Sequence, residues 1–107
     1  MDQGLPNSSI IIVNLVNPKE KFWGVLLATT QVGVTLRGIN LESFEDWVNQ
    51  LARRDDEPTL GLVTMFVPML RVERIYIDEP VGSIPSYSDH FANRVGQAPR
   101  SFLGIIA

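Results

Sequence analysis

The chain has 107 residues and a mass of 12.0 kDa, which is the size of a single domain. Its 45% apolar and 20% charged residues are typical of a globular protein and exclude a disordered or fibrous chain. The formal charge of -3 does not favour general binding of nucleic acid, which needs a basic excess. The absence of cysteine excludes disulfides and thiolate chemistry. We therefore expect one domain over residues 1–107.

The sequence contains no targeting or membrane signal of the usual kind. The residues before Ile10 lack the basic region and long apolar core of an export signal. The longest apolar stretches, 22–28 and 65–70, are far shorter than the roughly 20 residues that cross a bilayer. We expect a cytoplasmic protein that does not enter a membrane.

Two strands are predicted near the N-terminus. Residues 9–16 are rich in β-branched side chains and end at the turn-forming pair Asn17-Pro18. Residues 21–29 form the second strand, and the short connection predicts an antiparallel hairpin. Gly24 interrupts the second strand, and a glycine there usually marks a bulge or a sharp bend. We interpret it as a corner of a barrel.

A third strand and a helix follow. Residues 34–39 alternate between apolar and polar side chains over the first four positions, which predicts a strand with one wet face. From Leu41 the apolar residues recur at helical spacing, which predicts an amphipathic helix over about 41–54. Asn40 can cap its first amides, and Arg53 and Arg54 lie near the negative end of the helix dipole.

Two more strands are predicted around Pro68. Residues 60–67 are apolar on both faces, so both faces are expected to be covered. Pro68 has no amide donor and interrupts the ladder, and the strand resumes over 70–77. The two segments are interpreted as one long strand broken at a hinge.

The C-terminal third predicts a short helix and a docked tail. Ser86 can cap a helix over about 86–95, with Asp89 as its capping partner and Gly96 as its end. The apolar residues of 99–107 are expected to dock on this chain or on a neighbour. The prediction is thus a barrel with an inserted helix over 9–77 and an extension over 78–107.

Four segments, which span roughly residues 9–77, carry a resemblance to a known family. They read Ile11-Ile12-Val13-Asn14-Leu15-Val16-Asn17, Phe22-Trp23-Gly24-Val25-Leu26, Thr64-Met65-Phe66-Val67-Pro68 and Arg71-Val72-Glu73-Arg74-Ile75. Together they resemble the Sm-like family of small β-barrels, to which Hfq belongs. The resemblance implies a mainly β fold, a five-stranded SH3-like barrel, and rings closed by pairing strand four with strand five of the next subunit.

The same resemblance implies binding of single-stranded RNA, and the sequence departs from the family at this point. The stretch 29–33 has no acidic residue where the family's nucleotide pocket has one, and the pair Arg37-Gly38 lies before the helix rather than between the last two strands. We predict an oligomeric binding or scaffold module of unknown ligand, with an RNA-binding Sm-like protein as the alternative.

Two sets of residues are candidates for contacts with partners. The residues that could contact RNA or another partner are Lys21, Arg37, Arg71 and Arg74. The residues expected at an interface between copies of this chain are Met65, Val67, Pro68, Met69 and Leu70. We expect a homo-oligomer that associates through strand edges.

A small metal- or ligand-dependent enzyme is the alternative from a different class. Asp78, Glu79, Asp89 and His90 could converge on a divalent metal, because the end of strand five and the last helix are close in sequence. The competing interpretation makes them solvated residues that end a strand and cap a helix. The chain has no phosphate-binding glycine motif. We therefore assign no catalytic, cofactor-binding or metal-binding residue.

Overall fold

The structure, a computed structural model, describes residues 4–57 and 59–104. It is mainly β, as expected. The strands are β1 (Ile10–Leu15), β2 (Glu20–Thr29), β3 (Gly33–Asn40), β4 (Val63–Pro68) and β5 (Val72–Ile77). The helices are α1 (Leu41–Arg53), α2 (Tyr87–Val95) and α3 (Arg100–Leu103), and a 3₁₀ turn at Met69–Arg71 joins β4 to β5.

The five strands form one antiparallel sheet in the order β4-β3-β2-β1-β5. In a flat sheet, β4 and β5 would be four strand spacings, or roughly 19 Å, apart. The three residues of the 3₁₀ turn allow at most about 14 Å between Pro68 and Val72. The sheet is therefore strongly curled. It is not closed, because β4 and β5 do not pair with each other in the described part of the chain.

The concave face of the curled sheet encloses one hydrophobic core. Every strand contributes to it because alternate side chains of a strand point to the same face. Its buried members are Ile11, Val13, Leu15, Leu26, Val34, Leu36 and Val67. Val72, Ile75 and Ile77 of β5 pack against them, so side chains from the two edge strands meet in the same core.

The convex face carries a second core, which the helices cover. Its buried members are Ile12, Trp23, Val25, Ile39, Phe44, Trp47, Val48, Phe91 and Leu103. Phe44, Trp47 and Val48 form the apolar face of α1, as the sequence predicts. The helix begins at the cap predicted for it, since the Asn40 side chain accepts a hydrogen bond from the Glu42 amide at 2.8 Å.

Gly24, which the sequence predicts to be a corner of the barrel, does not lie in a bulge. The ladders of β2 with β1 and β3 are regular through Gly24, and the irregularity in β2 lies between Leu26 and Ala28. Gly24 instead pairs with Gly38, and a Cβ on Gly24 would lie 2.6 Å from the Cα of Gly38. The two glycines therefore permit a close approach of the backbones of β2 and β3.

The prediction for the fourth strand was wrong in its start and in its coverage. β4 begins at Val63 rather than Leu60, and Val63 and Phe66 are 51% and 53% exposed. The physical reason is that β4 is an edge strand, which pairs only with β3 in the described part of the chain. The fifth strand begins at Val72 rather than residue 70, because the 3₁₀ turn occupies residues 69–71.

The predicted C-terminal helix is confirmed. The Ser86 hydroxyl accepts a hydrogen bond from the Asp89 amide at 2.9 Å, and Gly96 ends the helix in the left-handed region. Phe91 and Leu103 are buried in the convex core, so this part of the predicted docked tail packs on its own chain. Residues 105–107 lie outside the described residues.

We predict that Gly24→Ala lowers the free energy of unfolding by about 3 kcal/mol, because the new methyl group meets backbone atoms that side-chain rotation cannot move away. Gly61→Ala is the matched control, since a Cβ there meets nothing within 4 Å. Chemical denaturation of the two variants measures the difference. Equal stability of the two variants would contradict the close approach of β2 and β3.

A second prediction concerns Trp47, whose ring centroid lies 5.2 Å from that of Phe91 and 5.9 Å from that of Trp23. Trp47→Ala should cost about 3 to 5 kcal/mol through the cavity it leaves. Val81→Ala, at an exposed apolar position, is the control. A stable Trp47→Ala protein would show that the ring is not part of the core.

Candidate functional site

Asp78, the first candidate for metal or catalytic chemistry, is engaged in structural hydrogen bonds. Its Oδ2 accepts from the indole Nε1 of Trp23 at 2.9 Å, and from the amide and hydroxyl of Ser88 at 2.8 and 2.7 Å. Its Oδ1 accepts from the amide of Tyr87 at 2.9 Å. Asp78 therefore fixes the first turn of α2 to the end of β5 and supplies the partner of a buried indole.

His90, the second candidate, pairs with a residue of α1. Its Nε2 lies 2.9 Å from Oε1 and 3.1 Å from Oε2 of Glu45. This pair joins α2 to α1 at the surface rather than joining His90 to Asp78. Across residues 4–57 and 59–104, no group of three or more histidine or carboxylate side chains is placed to hold a metal ion.

Arg71, a candidate for RNA contact, holds the turn between β1 and β2. Its Nε donates to the carbonyl of Val16 at 3.0 Å, and its Nη2 donates to the carbonyl of Pro18 and to Oε1 of Glu20, both at 2.9 Å. These bonds use several of the five N–H donors of the guanidinium group. Arg71 thus connects the 3₁₀ turn to the β1–β2 hairpin.

The other three basic candidates do not form one patch. Lys21 and Arg74 lie on either side of Asn14, as its partners on β2 and β5. Arg37 lies opposite Val25, further along the sheet, and its Nη1 donates to the Thr64 hydroxyl at 3.3 Å. The structure therefore places Lys21 and Arg74 on the two sides of β1 at Asn14 and places Arg37 elsewhere.

The expected interface residues divide between the core and the surface. Met65 and Val67 point into the concave core of their own chain. Met69 and Leu70 of the 3₁₀ turn are exposed, Leu70 at 95%, as is Pro68. Phe66, which the sequence does not single out for this role, is exposed between Met65 and Val67 because it points to the convex face.

A cavity of about 510 Å³ lies at one end of the sheet. Residues of β1, β2 and the turn between them form one side, and Glu73 of β5 contributes to the wall. The first residues of α1 and Tyr87, the first residue of α2, complete it. The size is that of a typical small-molecule site.

Asn14 lines this cavity and has an unsatisfied polar atom. The residue is 9% exposed, and its Oδ1 is buried without a hydrogen-bond partner. Buried polar atoms without a partner are rare because each costs about 1–3 kcal/mol. The sequence gives one signal for this position, which is a single amide side chain within a run of buried β-branched residues. It does not show what surrounds the amide.

Glu73 reaches the cavity through a bulge in β5. Asn14 pairs with Arg74 and Leu15 pairs with Val72, so Glu73 is an extra residue opposite β1. A bulge of this kind changes the direction of a side chain at the sheet edge. Glu73 thus lines the same cavity as Asn14, and its carboxylate pairs with Arg74 at 3.9 Å.

Comparisons of this chain with protein-family models, with curated proteins and with solved structures found no match. None of the helices within residues 4–57 and 59–104 has the length and hydropathy of a membrane span.

We predict that Asp78→Ala lowers the free energy of unfolding by about 3 kcal/mol, because it leaves the buried indole N–H of Trp23 without an acceptor. Hydrogen exchange at the amides of Tyr87 and Ser88 should become faster, since both donate to Asp78. Glu79→Ala, at the exposed neighbouring position, is the control. Unchanged exchange at both amides would contradict the structural role of Asp78.

Proposed function

We propose that this protein is a self-associating binding or scaffold module, in which β4 of one copy pairs antiparallel with β5 of the next. The observation that carries the proposal is that both edges of the sheet are free in the described chain. Free edges present unpaired backbone donors and acceptors, and a second copy can satisfy them.

The hydrogen-bonding pattern identifies the free groups on β4. The amide of Met69 donates to the carbonyl of Val32, and hydrogen-bonded and non-hydrogen-bonded pairs alternate along an antiparallel ladder. The backbone groups of Thr64 and Phe66 therefore point away from β3. The backbone of Pro68 has the same orientation as that of Thr64 and Phe66. Its missing amide therefore removes no hydrogen bond to β3.

The same reasoning applies to β5. The amide of Asp78 donates to the carbonyl of Ile10. From this pair, non-hydrogen-bonded and hydrogen-bonded pairs alternate along β1 and β5. The backbone groups of Ile75 and Ile77 point away from β1. An antiparallel ladder of Thr64 with Ile77 and Phe66 with Ile75 of another copy would use the free groups of both edges.

Exposed apolar side chains flank the β4 edge and favour burial by another copy. Phe66, Met69 and Leu70 lie on or directly after β4, and Leu70 is almost wholly exposed. Burying apolar surface stabilises an interface by roughly 25 cal/mol per Å² before the costs of association. These side chains would surround the paired strands.

We propose further that the curled sheet is an incomplete SH3-like barrel of the Sm-like kind. The strand order, the short 3₁₀ connection between β4 and β5, and the shared concave core support this interpretation. Repeated head-to-tail pairing of two different edges leads to a ring when the rotation between copies closes. RNA is less well supported as a ligand, because the chain is acidic and Arg71 is engaged within the fold.

Light scattering at micromolar concentration should report a mass several times 12.0 kDa. Phe66→Pro removes an outward-facing amide and should raise the midpoint concentration of association by about tenfold or more. Phe66→Ala keeps the amide and should have a smaller effect, which separates the ladder from the apolar contact.

Asp56→Pro, at an exposed position after α1, is the control and should leave the mass unchanged. Circular dichroism establishes that each variant is folded, and Phe66→Lys replaces Phe66→Pro if the proline variant is not. A monomeric native chain under these conditions would overturn the proposal.

A further inference from the structure

Two basic residues lie on either side of Asn14 on the convex face of the sheet. Lys21 of β2 and Arg74 of β5 are its direct partners in the two antiparallel ladders. Residues that pair directly in such a ladder point to the same face of the sheet. The three side chains therefore form a row across β2, β1 and β5, in which the two outer strands are about 10 Å apart.

Asn14 presents a hydrogen-bond donor to the cavity. The residue lines the cavity, but its Oδ1 is buried and has no partner. The polar atom left to face the cavity is the amide Nδ2, since turning the group by 180° would bury two N–H donors in place of one acceptor. Lysine and arginine side chains contain no acceptor, so the donors of all three side chains need an acceptor from outside the row.

The two basic side chains keep donors available for such an acceptor. Among the described residues, Lys21 takes part in no ion pair. The contact of Arg74 with Glu73 joins Nε to Oε1 at 3.9 Å, and the Arg74 side chain is 66% exposed. An exposed pair at this distance contributes little, and it leaves the Nη groups of Arg74 free for a charge-assisted hydrogen bond to an anion.

The acidic residues of the wall limit the charge of that anion. The charged residues of the lining and their ion-pair partners comprise four basic and three acidic side chains, which gives a net charge of +1. They are Lys19, Glu20, Lys21, Glu42, Glu73, Arg71 and Arg74. A singly charged anion neutralises this group. The second charge of a phosphate monoester would be repelled by the carboxylates of Glu42 and Glu73.

We propose that this cavity binds the anion of a small carboxylic acid. Its carboxylate lies between Lys21 and Arg74 and accepts a hydrogen bond from Nδ2 of Asn14. Leu15 and Tyr87 supply apolar surface of the wall for the remainder of the ligand. The lining does not include β4, so the site does not depend on association between copies.

Titration of the native, ¹⁵N-labelled protein with benzoate tests the proposal. Benzoate should shift the side-chain amide protons of Asn14, whose resonances are identified by their absence from an Asn14→Leu protein. Benzyl alcohol and phenyl phosphate keep the aromatic ring and should each bind at least tenfold more weakly, because the first has no charge and the second has a charge near -2. Equal binding of either one, or no shift with benzoate at about 10 mM, would overturn the proposal.

Variants followed by titration calorimetry separate the site from the net charge of the chain. Lys21→Gln should weaken benzoate binding about tenfold, whereas Arg37→Gln, which removes the same charge elsewhere on the sheet, should not. Asn14→Leu replaces the unsatisfied amide with an apolar side chain of similar size, so it should raise the thermal midpoint while binding falls at least tenfold. Equal effects of the two glutamine variants, or undiminished binding by a folded Asn14→Leu protein, would overturn the proposal.

Discussion

The hydrogen bond between the indole of Trp23 and the carboxylate of Asp78 connects the sheet to the helices. Trp23 is fully buried in the convex core, in contact with Phe44, Trp47 and Phe91. The indole N–H needs a hydrogen-bond acceptor, because burying it without one would lower the stability of the fold. Asp78 provides the acceptor and uses its remaining lone pairs to bind the first turn of α2. One side chain therefore joins β2, β5 and α2.

The curvature of the sheet depends on the residue after Trp23. At Gly24, β2 comes so close to β3 at Gly38 that neither position has room for a side chain. The large indole on the convex side and the absent side chain at the next position together permit the bend. The bend brings the concave faces of all five strands around one core, and it lets a three-residue turn connect the two edges.

Much of the fold follows from local patterns in the sequence. The caps at Asn40, Ser86 and Gly96 and the apolar stripe of α1 involve residues within one or two turns of each other, so periodicity and residue chemistry suffice to predict them. The edge position of β4 was harder to predict, because an apolar strand sequence is compatible with both the interior and the edge of a sheet. The exposure of Phe66 depends on which strands flank β4, and that arrangement is not local.

The roles of the polar residues were the least predictable part. Asp78 lies 55 positions from Trp23 and nine from Tyr87, and nothing in the spacing indicates that one carboxylate serves both. Asn14 is visible in the sequence as a polar residue in an apolar run. The sequence does not show that the register of the sheet places Lys21 and Arg74 on either side of it.

The bulge at Glu73 limits the length of edge that β5 offers to another copy. Regular alternation of backbone groups holds from Asp78 back to Arg74 and ends at the extra residue, so only Ile75 and Ile77 offer a regular edge to another copy. In the proposed register the next outward-facing pair would join Pro68 of the other copy to Glu73, and Pro68 has no amide to donate. The ladder between copies would therefore end at the bulge, beside the cavity that Glu73 lines.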